Sequence, residues 1–318
     1  MSGICEGRVV IVTGAGRGIG RGHAIEFARQ GAKVVVNDLG AEMDGTGESA
    51  GPANEVVDTI KGFGGEAIAN GEDISDWDGA NRLIATAIDT FGGLDVLVNN
   101  AGILRDRMLI NMTIEEWDAV IRVHLRGTFA PSRVAAAYWR ERSKAGETND
   151  ARIINTSSSS GIYGNPGQTN YGAAKAGIAA FTIIAAMELE RYGVTVNAIA
   201  PGAQTRMTEN LRPDRPALKA DEFDARHPDN VAPLVVWLGS PESAGITGRV
   251  FNVAGGRISV AEGWNAGPGV DKGDRWDVTE LGAVIPGLVE QAAPNAGTGG
   301  ARARQREREA QAQTPPAS

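Results

Sequence analysis

A tyrosine and a lysine stand four residues apart in NYGAAKAG, Tyr171 and Lys175, and the serine run Ser157 to Ser160 lies about a dozen residues upstream. Residues four apart share one face of a helix, so the Lys175 ammonium would sit beside the Tyr171 phenol and favour its ionised form. A free tyrosine titrates near ~10 and is a poor base at neutral pH. Next to a cation, the phenol takes a proton from an alcohol or returns one to a ketone, while a nicotinamide carries the hydride.

A place for such a nucleotide stands near the start of the chain, where TGAGRGIG presents Gly14, Gly18 and Gly20 as G-x-x-x-G-x-G between a strand pattern and a helix pattern. Without β-carbons, backbone N–H groups and a helix N-terminus come close to a pyrophosphate. Asp38 follows the second strand, eighteen residues beyond Gly20. A carboxylate there accepts hydrogen bonds from both adenosine ribose hydroxyls and repels a 2′-phosphate, so NAD is expected rather than NADP. Arg17, inside the loop, is the opposing signal, because an arginine neutralises such a phosphate. Asn99-Asn100-Ala101-Gly102 has the small residues and amide that let a flat ring approach, a composition shared with ordinary strand-to-loop turns. Asp73, in GEDIS, is placed for the adenine edge, and a helix N-cap accounts for it equally well.

These residues need elements to hold them. Arg8 to Thr13, Lys33 to Asn37, Ala67 to Asn70, Leu94 to Asn99, Arg152 to Thr156 and Val194 to Ala200 read as strands, with Val250 to Val253 a further candidate. Helix-length patterns at Arg21 to Gln30, Asn54 to Phe63, Gly79 to Phe91 and Glu115 to Tyr138 separate several of them. The alternation predicts an α/β fold, a doubly wound parallel sheet of the Rossmann type, in one domain over 1–256. Residues 257–291, with Trp264, Trp276, Leu281, Ile285 and Leu288, read as an extension packed on the body or on a neighbouring subunit. Residues 292–318, biased to Ala, Gln, Arg and Pro, read as a disordered tail.

The net charge of −8 over 318 residues gives no basic field for a polyanion, so nucleic acid is not an expected partner. A single cysteine, Cys5, excludes an internal disulfide and a multi-cysteine metal site; no metal is expected. Glu6 and Arg8 interrupt the apolar start, which reads as a strand and not as a signal peptide. No apolar run reads as a membrane span, and a cytoplasmic protein is expected.

TGAGRGIG, NNAG, the serine run, YGAAK and PGAQT, in this order and spacing, resemble the short-chain dehydrogenase/reductase family over roughly Gly3 to Gly256. The resemblance implies Tyr171 as general acid/base, Lys175 as the cation that lowers its pKa and holds the nicotinamide ribose, and Ser158 as hydrogen-bond partner of the reacting oxygen. Ser158 is chosen because it lies thirteen before Tyr171 and three before Gly161. The same resemblance lines the cofactor site with Gly14, Arg17, Gly18, Ile19, Gly20, Asp38, Asp73, Ile74, Asn100, Ala101, Gly102, Val123, Tyr171, Lys175, Pro201, Gly202 and Thr205. Many members carry a fourth catalytic residue, an asparagine, where VHLRG has His124; a proton role for His124 stands against the plain reading of a packed histidine. VHLRGTF, NNAGILRDRM, SGIYGNPGQTNY and VAPLVVWL are similar to the (3R)-hydroxyacyl-CoA dehydrogenase unit of multifunctional β-oxidation enzymes, also counted among 17β-hydroxysteroid dehydrogenases, and to bacterial dehydrogenases of steroid side chains. The implied reaction is NAD-dependent oxidation of a 3-hydroxyacyl-CoA, with free 17β-hydroxysteroids, or NADPH-dependent reduction of a 3-oxoacyl group, as alternatives. A nucleotide sensor without catalysis is disfavoured by the presence of both Tyr171 and Lys175. Family resemblance also implies a homodimer or homotetramer. The stretch from Ala203 to His227 reads as a lid over an acyl-CoA or steroid substrate, with Arg206, Arg212 and Arg215 as candidates for CoA phosphates.

Overall fold

The strand Val9–Thr13 (β1) reads VVIVT and is buried along its whole length. So are Val96–Asn99 (β4) and Ala151–Thr156 (β5), while Lys33–Asn37 (β2) is buried after its first residue. Strands without a polar face need cover on both sides. The computed structural model, which describes residues 3–41, 47, 51–204, 222–293 and 295–296, supplies that cover. With Glu66–Asn70 (β3), Val194–Pro201 (β6), Val250–Ala254 (β7) and Arg257–Ala261 (β8), the strands form one sheet in the order β3-β2-β1-β4-β5-β6-β7-β8. Pairing from β3 through β7 is parallel.

Alternate residues of each strand feed two cores. Val10, Val12, Val34, Val36, Val96 and Val98 meet Phe27 of helix α1 (Gly18–Arg29), Ile60 of α2 (Gly51–Gly62) and Val235 and Leu238 of α8 (Ala232–Gly239). Val9, Ile11, Val35, Leu97, Ile153 and Val196 meet Leu83 and Ile84 of α3 (Trp77–Phe91), Trp139 of α5 (Gly127–Lys144) and Ala185 of α7 (Thr169–Leu189). The period of two sorts each strand's side chains onto opposite faces, which is why a continuous apolar run works here. The chain forms two compact units, one ending at Val260 and one beginning at Ala261. Within the second, a capping box of Asp277 and Glu280 opens the turn before α9 (Leu281–Gln291), and Trp264 is 98% exposed.

Two expectations change. The pattern from Glu115 to Tyr138 is not one helix: α4 (Ile114–Ile121) passes into a widened π-turn, Arg122–Arg126, before α5 begins. Pro131 inside α5 has no N–H to give back to the preceding turn, and a widened turn accommodates such a break. The expectation that no apolar run could span a bilayer also fails by length and composition, because Thr169–Tyr192 passes that test. That segment instead packs on the sheet through Ala185 and Ala186 and buries Lys175, as a core helix does. The lid candidates Arg206, Arg212 and Arg215, the cofactor candidate Thr205 and most of the C-terminal tail lie outside the described residues.

The chain order reverses between β1 and β4, and that is where a doubly wound sheet opens a crevice at its carboxyl ends. Behind it runs a buried polar thread: Asn99 Nδ2 donates to Ser132 Oγ and to Asn155 Oδ1, both at 2.9 Å, and Asn155 Nδ2 donates to Thr182 Oγ1 at 2.9 Å. It ties β4 to β5 and β5 to α7. Asn155→Ala strips two bonds and leaves Asn99 Nδ2 with Ser132 alone and the Thr182 hydroxyl with only its bond to the Ile178 carbonyl, so urea denaturation should show a loss of about 1–2 kcal/mol.

Candidate active site

The last residues of β5 place the serines. Ser157 Oγ donates to the carbonyl of Lys175 at 2.8 Å and so braces α7 from below. Ser158 begins the short helix α6 (Ser159–Tyr163) as its N-cap, accepting from Ser160 N at 3.1 Å, and its hydroxyl lies near enough to the Tyr171 phenol to pull the phenol's pKa down. Ser159 is the first residue of that helix, and Ser160 Oγ donates to Gln168 Oε1 at 2.7 Å. Of the serine run, Ser158 is the one the fold brings to the phenol.

Tyr171 and Lys175 lie in the first two turns of α7, with the ammonium 5.5 Å from the centre of the phenol ring. Lys175 is buried, and its Nζ donates to the carbonyl of Thr156 at 2.6 Å. Burial takes the ammonium down to about 7 from its ordinary 10.5. The phenol does not simply follow the expectation of a lowered pKa. Burial holds Tyr171 above its ordinary value, the Ser158 hydroxyl pulls it down, and the Asp106 carboxylate pushes it up. Desolvation disfavours the charged form of each group, so the phenol is held up and the ammonium down, and their pKa values move apart.

His124 sits in the widened π-turn, where the extra residue per turn carries it inward against Tyr171; the two rings meet edge to face at 5.1 Å. Its Nε2 lies 2.8 Å from the Ile103 carbonyl and 3.1 Å from the Ile103 N–H. Nδ1 has no partner among the described residues. Burial first, and then the Lys175 charge, take the imidazole down to about 3, so it is neutral at physiological pH. Gly102 has to be a glycine here, because a β-carbon would stand 3.0 Å from His124 Nδ1 and nearer still to Cε1.

At the switch point, Gly14 and Gly18 take positive φ of 61° and 54°, and a β-carbon on Gly14 would come 2.6 Å from Ala101 Cα. A β-carbon on Gly20 would strike the Gly14 carbonyl and stand 2.5 Å from Asn100 Nδ2. Thr13 Oγ1 accepts from Asn100 N at 3.0 Å and from Ala101 N at 3.2 Å, while Asn100 Nδ2 donates to the carbonyls of Thr13 and Gly14. The two loops of the crevice are thus sewn together by backbone and amide. Asp38 is held at its rim: Oδ2 accepts from Gly16 N and Oδ1 from Gly40 N, each at 2.7 Å. Arg17, the N-cap of α1, is exposed and makes no side-chain cap, and Ile19 packs against the α1 core. This cradle fits a dinucleotide, because β-carbons would fill it and a fixed carboxylate stands where a ribose would end.

Asp73 is not the helix cap, which falls on Asp76. Its carboxylate accepts from Ser75 N and Oγ and pairs with Arg122 at 2.6 Å; burial raises its pKa, and these bonds outweigh burial and leave it lowered. Ile74 is buried beside it, and Val123 is half-buried in the π-turn. Pro201 ends β6, and Gly202 N donates to Val253 O. Thr205 lies outside the described residues.

Several residues of this site were missed by sequence reasoning. Thr13, Asp106, Gln168 and Asn170 touch its walls, and the amide-rich run NPGQTN before Tyr171 holds only the last two of them. An amide or hydroxyl in a loop looks solvated until a partner from another strand is placed against it.

Residues 8–216 match the family model described as short chain dehydrogenase. A hydroxyacyl-CoA dehydrogenase of Mycobacterium tuberculosis, ChsB1, is 45% identical over 291 residues, covering 88% of each chain. The peroxisomal multifunctional enzyme type 2 of Mus musculus is 43% identical over 92% of this chain, which spans 36% of that larger protein. The crystal structure of a short chain dehydrogenase from Mycobacterium avium superposes with a TM-score of 0.84 at 58% identity, covering 93% of this chain and 99% of that one.

Two outcomes follow from the electrostatics. The folded pKa of Lys175 lies below the unfolded one, so its cost is complete below about pH 7 and fades as pH rises toward 10.5. Lys175→Met should therefore melt several degrees above the parent at pH 6, with the gap narrowing by pH 9 in a thermal scan. Asp106→Asn keeps an acceptor for Gln168 Nε2, which now donates to Asp106 Oδ2 at 2.7 Å, and removes the charge that raises Tyr171. The limb of the pH–rate profile set by phenol ionisation should move to lower pH, and by less in high salt.

Proposed function

The chain belongs to the short-chain dehydrogenase family and is an oxidoreductase acting on CH–OH groups with a nicotinamide cofactor, and on that premise we propose that it oxidises a 3-hydroxyacyl-CoA to the 3-oxoacyl-CoA using NAD. The observation that carries this reading is the Ser158–Tyr171–Lys175 constellation at the mouth of a crevice whose rim holds Asp38. The name of the mycobacterial relative, a hydroxyacyl-CoA dehydrogenase, supports the thioester as substrate class.

The chain's own groups divide the work. Ser158 holds the substrate hydroxyl and steadies the developing alkoxide, while the Tyr171 phenolate removes its proton. Lys175, fixed by the Thr156 carbonyl, offsets the negative charge of the phenolate and passes the proton on toward water. His124, neutral in its π-turn, keeps Ile103 and the edge of the Tyr171 ring in register and enters the proton path only as a neutral ring. The bound nicotinamide supplies the acceptor for the hydride leaving C3. Asp38, already turned to the glycine loop, accepts from ribose hydroxyls and excludes a 2′-phosphate. The exposed Ile183, Ile184 and Met187 of α7 and Phe129 of α5 are the faces we assign to a second copy of the chain.

Initial rates at 340 nm with NAD and NADP against 3-hydroxyacyl-CoAs, a steroid side-chain hydroxyacyl-CoA and free 17β-hydroxysteroids test the reading. Turnover of the thioesters with NAD is expected. Tyr171→Phe should lose roughly two to four powers of ten. Asp38→Ala should shift the preference toward NADP by about one to two powers of ten. Turnover of free steroids alone would overturn the thioester assignment.

A further inference from the structure

The residue before the catalytic tyrosine, Asn170, is wholly buried, and all its polar reach is spent on backbone. Its Oδ1 accepts from Tyr171 N at 2.7 Å, and its Nδ2 donates to the carbonyls of Arg105 at 2.9 Å and Glu116 at 3.1 Å. Tyr171 is the third residue of α7, where an N–H has no partner inside the helix and a side chain from the N-cap normally supplies one. Gln168, the N-cap, makes no such bond. Asn170 takes over that duty from within the helix and uses the other end of its amide to hold two foreign segments.

Those segments matter. Arg105 belongs to the stretch that continues directly from Asn100–Gly102 and Ile103, the wall of the cofactor crevice. Glu116 lies in the first turn of α4 and pairs with Arg107 at 2.8 Å. Further ties run in parallel: Arg107 N donates to Gly167 O, and Gln168 Nε2 donates to Asp106 Oδ2. Gln168 Oε1 also accepts from Ser160 on the helix that Ser158 begins. Among these ties, that of Asn170 starts from a wholly buried side chain and is the one that ends on the backbone of Tyr171 itself.

We infer that Asn170 is a positioning residue, which fixes the Tyr171 phenol against Ser158 by splicing the first turn of α7 onto the segment leaving the cofactor crevice. The inference rests on Tyr171 being the acid/base of the proposed reaction. A displacement of about 1 Å at a reacting group costs roughly a hundredfold in rate, so a side chain that never meets substrate governs turnover through its neighbour.

The test is a double-mutant cycle on the full chain with Asn170→Ala, Tyr171→Phe and the double variant. It reads kcat and KM with a 3-hydroxyacyl-CoA, NAD dissociation constants and melting temperatures. Asn170→Ala should lower kcat roughly ten- to a hundredfold, leaving KM and the NAD dissociation constant within about twofold. In the Tyr171→Phe background the same change should cost nothing further, because its effect passes through the phenol. A generally loosened site would instead lose the same factor in both backgrounds, and that result, or a kcat within twofold of the parent, overturns the inference. Near-normal turnover of Tyr171→Phe alone would overturn the reaction assignment and this inference with it, whereas an inactive Tyr171→Phe beside a fully active Asn170→Ala overturns only the inference. Should Asn170→Ala fail to fold, Asn170→Ser, which fills more of the space, takes its place in the same cycle.

Discussion

A buried ammonium beside a partly buried phenol is the interaction on which the site depends, and neither group would choose that place unaided. Lys175 is out of water, its pKa falls to about 7, and the carbonyl of Thr156 is the protein acceptor fixed upon it. Burying an unpaired charge costs several kcal/mol, so the carbonyl has to be present and rigid before the helix can carry the lysine. Thr156 is the final residue of β5, a strand in the middle of the sheet, and is held in register opposite Ile199 of β6. The stiffness of the sheet is thereby a condition of the chemistry.

The same economy of placement recurs at the switch point. Thr13 and Asn100 stitch the first βα turn to the turn after β4 through the backbone, so the crevice keeps its width without a ligand's help. Beneath it, Asn99, Asn155 and Thr182 carry hydrogen bonds across the sheet and into α7. A polar thread of this kind in an apolar core favours one arrangement over its near neighbours, because a slip would break its bonds where water cannot replace them.

The widened turn at Arg122–Arg126 supplies the remaining wall. An ordinary α-helical turn would point residue 124 elsewhere; the extra residue rotates His124 into the space under Gly102 and against Tyr171. Its neutrality follows from burial and from Lys175 nearby, so the histidine can stay next to the ammonium without repulsion. Functional sites often carry such local departures from regular helix geometry, and here the departure lies next to the reacting group.

What the sequence determined by itself was whatever local chemistry dictates. Runs such as VVIVT and KVVVN can only be strands covered on both faces, Gly14 and Gly18 serve where φ must be positive, and a spacing of four puts Tyr171 and Lys175 on one helical face. Sequence could not show that Glu115 to Tyr138 breaks in the middle, because the period of apolar residues survives one extra residue per turn. Nor could it separate Asp73 from Asp76 as a cap, since both precede the helix and only the backbone's path decides which carboxylate meets Gly79 N. The pKa of Tyr171, the strand order and the partners of Asn170 were decided by tertiary structure alone. Each depends on groups far apart in the chain whose distance is set by packing, and desolvation has no signature in the order of residues.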